Sequence, residues 1–149
     1  MSGLLGNQVV TQIGLVVHDV DKVSKAYAQF FGVEQPTSFW TDDYEKARTE
    51  CNGKPTTAKA KLAFFDMGSL QLELIQPDEN ESTWRHYLDE HGEGVHHIAF
   101  EIKGMNEKID LLGKAGFSLQ QRGEYTGGRY AYIDTFPQLK VILELLEND

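Results

Sequence analysis

The chain is poor in cysteine, proline, positive charge and long apolar runs, and each shortage excludes something. Cys51 is the one cysteine among 149 residues, so no internal disulfide forms, and a reducing, cytoplasmic setting is expected. Of the four prolines, Pro55, Pro77 and Pro137 fall at predicted turns or strand ends. Lys and Arg number 14 against 23 Asp and Glu, a net charge of −9. That balance disfavours nucleic acid and anionic membrane surfaces as partners, since both reward basic clusters. It leaves small anionic substrates open, because a local basic patch can sit on an acidic protein. No apolar run approaches the roughly 20 residues that cross a bilayer, and the opening MSGLLGNQVV lacks the charged region and apolar core of a leader peptide. Apolar residues at 40% suffice for one globular domain with its own core.

The stretch GEGVHHIAF, residues 92–100, holds two adjacent histidines at the start of a strand-like run. Neighbouring side chains on a strand point to opposite faces, so His96 and His97 are expected to serve different surfaces. Residues 8–18, QVVTQIGLVVH, read as a strand of roughly eight residues. Asp19 or Asp21 caps the helix that follows, Val23, Ala26, Tyr27, Phe30 and Phe31 recur at helical spacing, and Gly32 ends it. The polar stretch 33–61 carries Trp40, Tyr44 and Arg48, read as a lid, a pocket wall or core anchors, with a strand expected near residues 47–51 and a turn at Asn52-Gly53-Lys54-Pro55. AKLAFFDMGSLQLELIQP reads as two strands joined at Met67-Gly68-Ser69, with Leu70, Leu72 and Leu74 facing one way and Gln71 and Glu73 the other. Ser82 opens a connecting helix that Gly92 closes.

The second half repeats the first. Residues 97–116 align with 12–32 as strand, turn, helix and glycine, and 131–146 align with 63–76. The fold class expected is α+β, from two β-α-β-β-β modules in a single domain spanning 1–149: about 8–77, a connecting helix about 81–91, and about 95–147. Gln12 occupies the slot of His97, and Glu73 that of Glu144. Four polar strand residues related by a repeat, offering oxygen and nitrogen, suit a borderline divalent ion if the sheets face each other. Glu144 sits in VILELLE, where an unpaired carboxylate is costly.

These residues resemble the vicinal oxygen chelate superfamily, which includes glyoxalase I, methylmalonyl-CoA epimerase, ring-cleaving dioxygenases and bleomycin-resistance proteins. The stretch LELIQPDENESTWRHYLDEHGEGVHHIAFEI is most similar to the epimerases. The resemblance implies a cup-shaped mixed sheet around one divalent metal held by Gln12, Glu73, His97 and Glu144, with cobalt, nickel, manganese and zinc as candidates. It also implies a homodimer acting on a small carbonyl or acyl substrate. The chemistry implied is proton abstraction next to a carbonyl, with Glu144 as base and Glu73 as second candidate.

Two departures bear on the substrate. The epimerases carry His where this chain has Gln12, whereas Gln, Glu, His, Glu is the glyoxalase I set. Their second carboxylate falls on Thr57. The residues with which glyoxalase I grips glutathione fall on Val16, Pro77 and Glu93, none of which holds a carboxylate. The alternatives are a glyoxalase I-like lyase and a metal-free binding protein of the bleomycin-resistance type. An iron dioxygenase fits less well, since Gln12 replaces a His. Arg129 with Gly127 and Gly128 is a further candidate for substrate binding, through backbone N–H groups and one cation.

Overall fold

The structure is a computed structural model describing residues 3–149; Met1 and Ser2, part of the expected domain, lie outside the described residues. Strand β1 (Gln12–Val16) alternates buried and half-buried residues. At five residues it is shorter than the strand of about eight expected within 8–18: the backbone of Thr11 already bonds Ala99 and Gln71, but regular pairing starts at Gln12. Helix α1 (Val20–Phe31) follows, with the Asp19 side chain accepting from the Lys22 amide and Gly32 ending it at φ 67°. Its apolar spacing marks the helix but not the inner face. Val20, Ser24 and Ala28 are the buried residues, small enough to let the helix close on the sheet, while Phe30 is 83% exposed.

The remaining elements are β2 (Phe39–Trp40), α2 (Tyr44–Ala47), β3 (Glu50–Cys51), β4 (Lys54–Pro55), β5 (Ala60–Asp66), β6 (Gln71–Pro77), α3 (Thr83–His91), β7 (Gly94–Glu101), α4 (Met105–Lys114), β8 (Leu119–Tyr125), β9 (Gly128–Ile133), α5 (Phe136–Leu139) and β10 (Ile142–Asn148). The strand expected near 47–51 is only Glu50–Cys51, because residues 44–47 form a helical turn. Asn52 and Gly53 both have positive φ, 53° and 78°, as a two-residue hairpin turn requires. The longer turn at Phe136-Pro137 is the short helix α5.

All ten strands join one curled mixed sheet in the order β2-β5-β6-β1-β7-β10-β9-β8-β3-β4. Outward from the central antiparallel pair β1/β7, the order is the same on both sides: β1 is parallel to β6, β7 is parallel to β10, and β5 and β9 come next. The hairpin β3–β4 belongs to the first half of the chain but pairs with β8 of the second. The sequence gives no local sign of that crossing.

Alternation along the strands sorts the core into three clusters. On one face, Leu72, Leu74, Ala63 and Phe65 pack with Val20 and Ala28 of α1. On the same face of the other half, Ala131, Ile133, Leu143 and Leu145 pack with Met105 and Leu112 of α4. On the opposite face, Val16, Ile75, Tyr132 and Ile142 pack with Trp84 and Leu88 of α3. The connecting helix therefore sits on the face that carries Gln12, Glu73 and Glu144.

Candidate functional site

Register explains why the repeat places its polar residues together. In β1, Gln12 is followed two residues later by Gly14, which pairs with Glu73 of β6. In β7, His97 is followed two residues later by Ala99, which pairs with Glu144 of β10. Each half thus sets a glutamate beside the same step of its first strand. Because β1 and β7 are neighbours, the two halves bring their pairs to one place.

There, Nε2 of His97 lies 2.8 Å from Oε1 of Gln12, 3.3 Å from Oε1 of Glu73 and 3.2 Å from Oε1 of Glu144. The four side chains are buried, Glu73 being the most accessible at 8%. Gln12 donates through its Nε2 to Oε1 of Gln71 at 2.7 Å, which turns its own Oε1 toward His97. One Nε2–H cannot serve three acceptors. It donates to Gln12, so Oε1 of Glu73 and Oε1 of Glu144 are buried without a hydrogen-bond partner.

The electrostatics follow from that surplus of oxygen. Burial alone would push His97 down, but the negative charge of Glu144 and Glu73 beside it outweighs that and lifts its pKa to about 10. Burial raises the Glu73 carboxyl, opposed by its contact with His97. The tips close on one another: among the described residues, no three His, Cys, Asp or Glu side chains are already spread around a common metal centre. The spacing itself is compatible with coordination, since bonds of about 2.1 Å hold adjacent donors roughly 3.0–3.4 Å apart.

Gly14 makes the approach of His97 possible. A Cβ on Gly14 would lie 2.1 Å from Cε1 of His97 and 2.5 Å from its Nε2. The ring also packs against Tyr132, centroids 5.2 Å apart, and the Tyr132 hydroxyl accepts from Nε1 of Trp84 at 2.9 Å. Burial, with the negative charge of Glu144 and Glu73, pushes the Tyr132 hydroxyl well above the usual phenol range. Helix α3 is thereby fastened to the cluster through one phenol.

The expectation for His96 is overturned. Gly14 pairs with His97 and Leu15 with Val95, so His96 is the extra residue of a β-bulge. A bulge re-aims side chains, and here both histidines are fully buried, their Nδ1 atoms 2.9 Å apart. Burial and the neighbouring His97 charge hold His96 well below the usual imidazole pKa, so it is neutral.

The structure does not bring Arg129, Gly127 and Gly128 to the cluster. Arg129 alternates with Ala131 and Ile133, which pack on α4, and its guanidinium is paired with Glu124, Glu147 and Asp149 at 3.4, 3.2 and 2.8 Å. Thr57, in the position of a second carboxylate, is exposed. Val16 lies in the apolar cluster under α3, Pro77 ends β6 buried, and Glu93 accepts from the His18 amide at 2.9 Å. Trp40 is 46% exposed in the edge strand β2, and Arg48 stacks over Tyr44 at 5.7 Å. A cavity of about 350 Å³ between α3, α5 and the β3–β4 turn is lined by Asn52, Thr83, Tyr87, His91 and Phe136, and by none of the four cluster residues.

Paired β-α-β-β-β modules with a polar cluster where their first strands meet define a glyoxalase-like protein. The profile of the Glyoxalase/Bleomycin resistance protein/Dioxygenase superfamily matches residues 11–132, and the chain belongs to that superfamily. Among curated relatives it is 34% identical over 92 residues to the uncharacterized protein YqjC of Bacillus subtilis (strain 168), covering 60% of this chain and 66% of that one. Among solved structures it is similar to methylmalonyl-CoA epimerase from Mycobacterium tuberculosis, with TM-score 0.64 and 18% identity, covering 100% of this chain and 92% of that chain. A variant of Streptomyces coelicolor methylmalonyl-CoA epimerase in complex with 2-nitronate-propionyl-CoA gives 0.62 and 20%, with 93% of each chain covered. A hypothetical protein from Bacillus halodurans C-125 gives 0.63 and 21%, with 94% of each covered. At such identities the structures establish the shared fold.

Proposed function

We propose that the chain is a divalent-metal-dependent isomerase, epimerase or lyase that moves a proton at the carbon next to a carbonyl. The observation that carries the reading is the meeting of three buried oxygen acceptors on one imidazole nitrogen, two of them carboxylate oxygens without a hydrogen-bond partner. A buried carboxylate without a partner is costly unless a cation completes it. Gln12, Glu73, His97 and Glu144 would hold the ion, and its donor set of one nitrogen and three oxygens suits a borderline metal such as cobalt, nickel, manganese or zinc. When bound, the ion supplies a Lewis acid that makes a proton next to a carbonyl easier to remove.

The remaining work falls to this chain's own groups. Glu144 is the base, its Oε1 buried and unpartnered. Glu73, in the other half of the sheet, is the second carboxylate and returns a proton from a different side. Gln12 is held oxygen-inward by Gln71 and contributes no charge, which leaves the two glutamates as the acid–base pair. With Thr57 in place of a further carboxylate, both proton transfers rest on Glu73 and Glu144. The burial of Val16 and Pro77 and the engagement of Glu93 support a substrate other than a glutathione conjugate. Likeness in fold to the epimerases supports an acyl thioester, methylmalonyl-CoA included, as the first substrate class to try.

The test is deuterium exchange from solvent into a panel of acyl-CoA, hydroxy-ketone and hemithioacetal substrates, using metal-loaded protein and its Glu144→Gln variant. Exchange by the wild type that the variant lacks, with metal content equal, is the expected result. Equal exchange by both removes Glu144 from the role of base.

A further inference from the structure

We infer that His96 is the positioning residue of the cluster: its Nδ1 accepts the hydrogen on Nδ1 of His97, and this fixes which nitrogen of His97 faces Gln12, Glu73 and Glu144. The inference rests on the metal reading above, because ligation through Nε2 is what places the shared hydrogen on His97.

The geometry leaves little choice. The bulge in β7 swings His96 in beside His97, the rings stand at 89° to each other, and the Nδ1 atoms are 2.9 Å apart. Two ring nitrogens at that distance share one hydrogen, which belongs to one ring or the other. If it sat on His96, neutral His97 would carry its own hydrogen on Nε2 and have no lone pair there. With the hydrogen on Nδ1 of His97, Nε2 is free to ligate. His96 is therefore the acceptor whenever His97 ligates through Nε2.

Its surroundings hold it to that task. The ring is fully buried and packs edge-on against Tyr132 at 4.9 Å and Tyr87 at 5.5 Å. Tyr132 is fixed in turn by Trp84, so α3 braces both histidines. A metal-ligating histidine commonly donates its other N–H to a carboxylate, carbonyl or water, and loss of such a partner typically lowers metal affinity 10–100-fold. Here a second imidazole takes that part.

The experiment compares wild type with His96→Leu and His96→Asn in cobalt titrations followed by the visible absorption of the bound ion. It also reads the ring-nitrogen shifts of zinc-loaded wild type by long-range ¹⁵N correlation. Asn places an oxygen near the position of the lost Nδ1; Leu keeps bulk and no acceptor. The expected result is 10–100-fold weaker cobalt binding by the Leu variant, affinity largely restored by Asn, and His96 with Nδ1 unprotonated beside His97 with Nδ1 protonated. Equal affinity in the Leu variant, or equal loss in both variants, would overturn the positioning role, as would a hydrogen on Nδ1 of His96. The nitrogen shifts decide the matter even if the Leu variant fails to fold. Absence of metal uptake by wild type would overturn the metal reading and this inference together, whereas uptake equal in wild type and the Leu variant would overturn the inference alone.

Discussion

Gly14→Ala is the smallest change that should undo the cluster without touching any of its polar atoms. Its added methyl would lie 2.1 Å from Cε1 of His97, 2.5 Å from Nε2 and 2.7 Å from Nδ1. Carbon atoms in contact sit about 3.5 Å apart or more, so the ring must retreat by about 1.4 Å. It is packed against Tyr132 and hydrogen-bonded to His96, so retreat means moving them or parting β1 from β7. Overpacking of this kind costs roughly 1–3 kcal/mol. At about 2–4 °C per kcal/mol for a chain of this size, the melting temperature of metal-free protein should fall by about 2–12 °C. Metal affinity should suffer more, because ligand distances tolerate only about 0.2 Å. Thermal unfolding by circular dichroism and a cobalt titration read the two effects. Gly113→Ala is the control: it lies in α4 with nothing near the new methyl and should stabilise by up to about 1 kcal/mol. A Gly14→Ala protein that melts and binds cobalt as wild type does would refute the claim that His97 is held by close backbone approach.

Tyr132→Phe deletes the acceptor of the buried Trp84 indole N–H and should cost roughly 1–3 kcal/mol by leaving that donor unpaired; an unchanged urea midpoint would contradict the bracing of α3. Glu147 accepts from the amides of Gly104 and Met105 at the start of α4, at 2.7 and 3.3 Å. Those amides, aided by Arg129 and opposed by burial, lower its carboxyl pKa. A lowered folded pKa gives stability that is present above the ordinary glutamate range and lost as pH falls through the folded value. Glu147→Gln should therefore be less stable than wild type at neutral pH, with the difference closing in acid; a difference independent of pH would argue against the carboxylate as the cap.

The sequence reveals Gln12, Glu73, His97 and Glu144 because each half sets one such residue on its first strand and one on its last, and the pairings Gly14 with Glu73 and Ala99 with Glu144 are that repeat in register form. Helix ends are equally legible, since Asp19, Ser82 and the glycines after α1 and α3 act through local chemistry. His96 is not legible in this way. Strict alternation sends it away from His97, and a bulge is a property of two paired strands, not of one. The crossing of β3–β4 to β8 is hidden for the same reason, being a choice of partner made over a distance of roughly 70 residues. Gly14 reads as an ordinary weak strand residue until His97 is seen against it. Arg129 looks like a free cation beside two glycines, yet its three acidic partners include two from the end of the chain. Phe30 shares helical spacing with Tyr27 but points to the surface, because the small residues Ser24 and Ala28 set which side closes on the sheet.

The most direct test of the central claim is the transition-metal content of protein purified without chelator or affinity tag, beside His97→Ala. Close to one ion per chain in wild type, lost in the variant, is what a cluster built on Nε2 of His97 predicts. Wild type that carries no metal and takes up none of cobalt, nickel, manganese or zinc would contradict it, and would leave Gln12, Glu73, His97 and Glu144 as a buried hydrogen-bonded cluster in a binding protein.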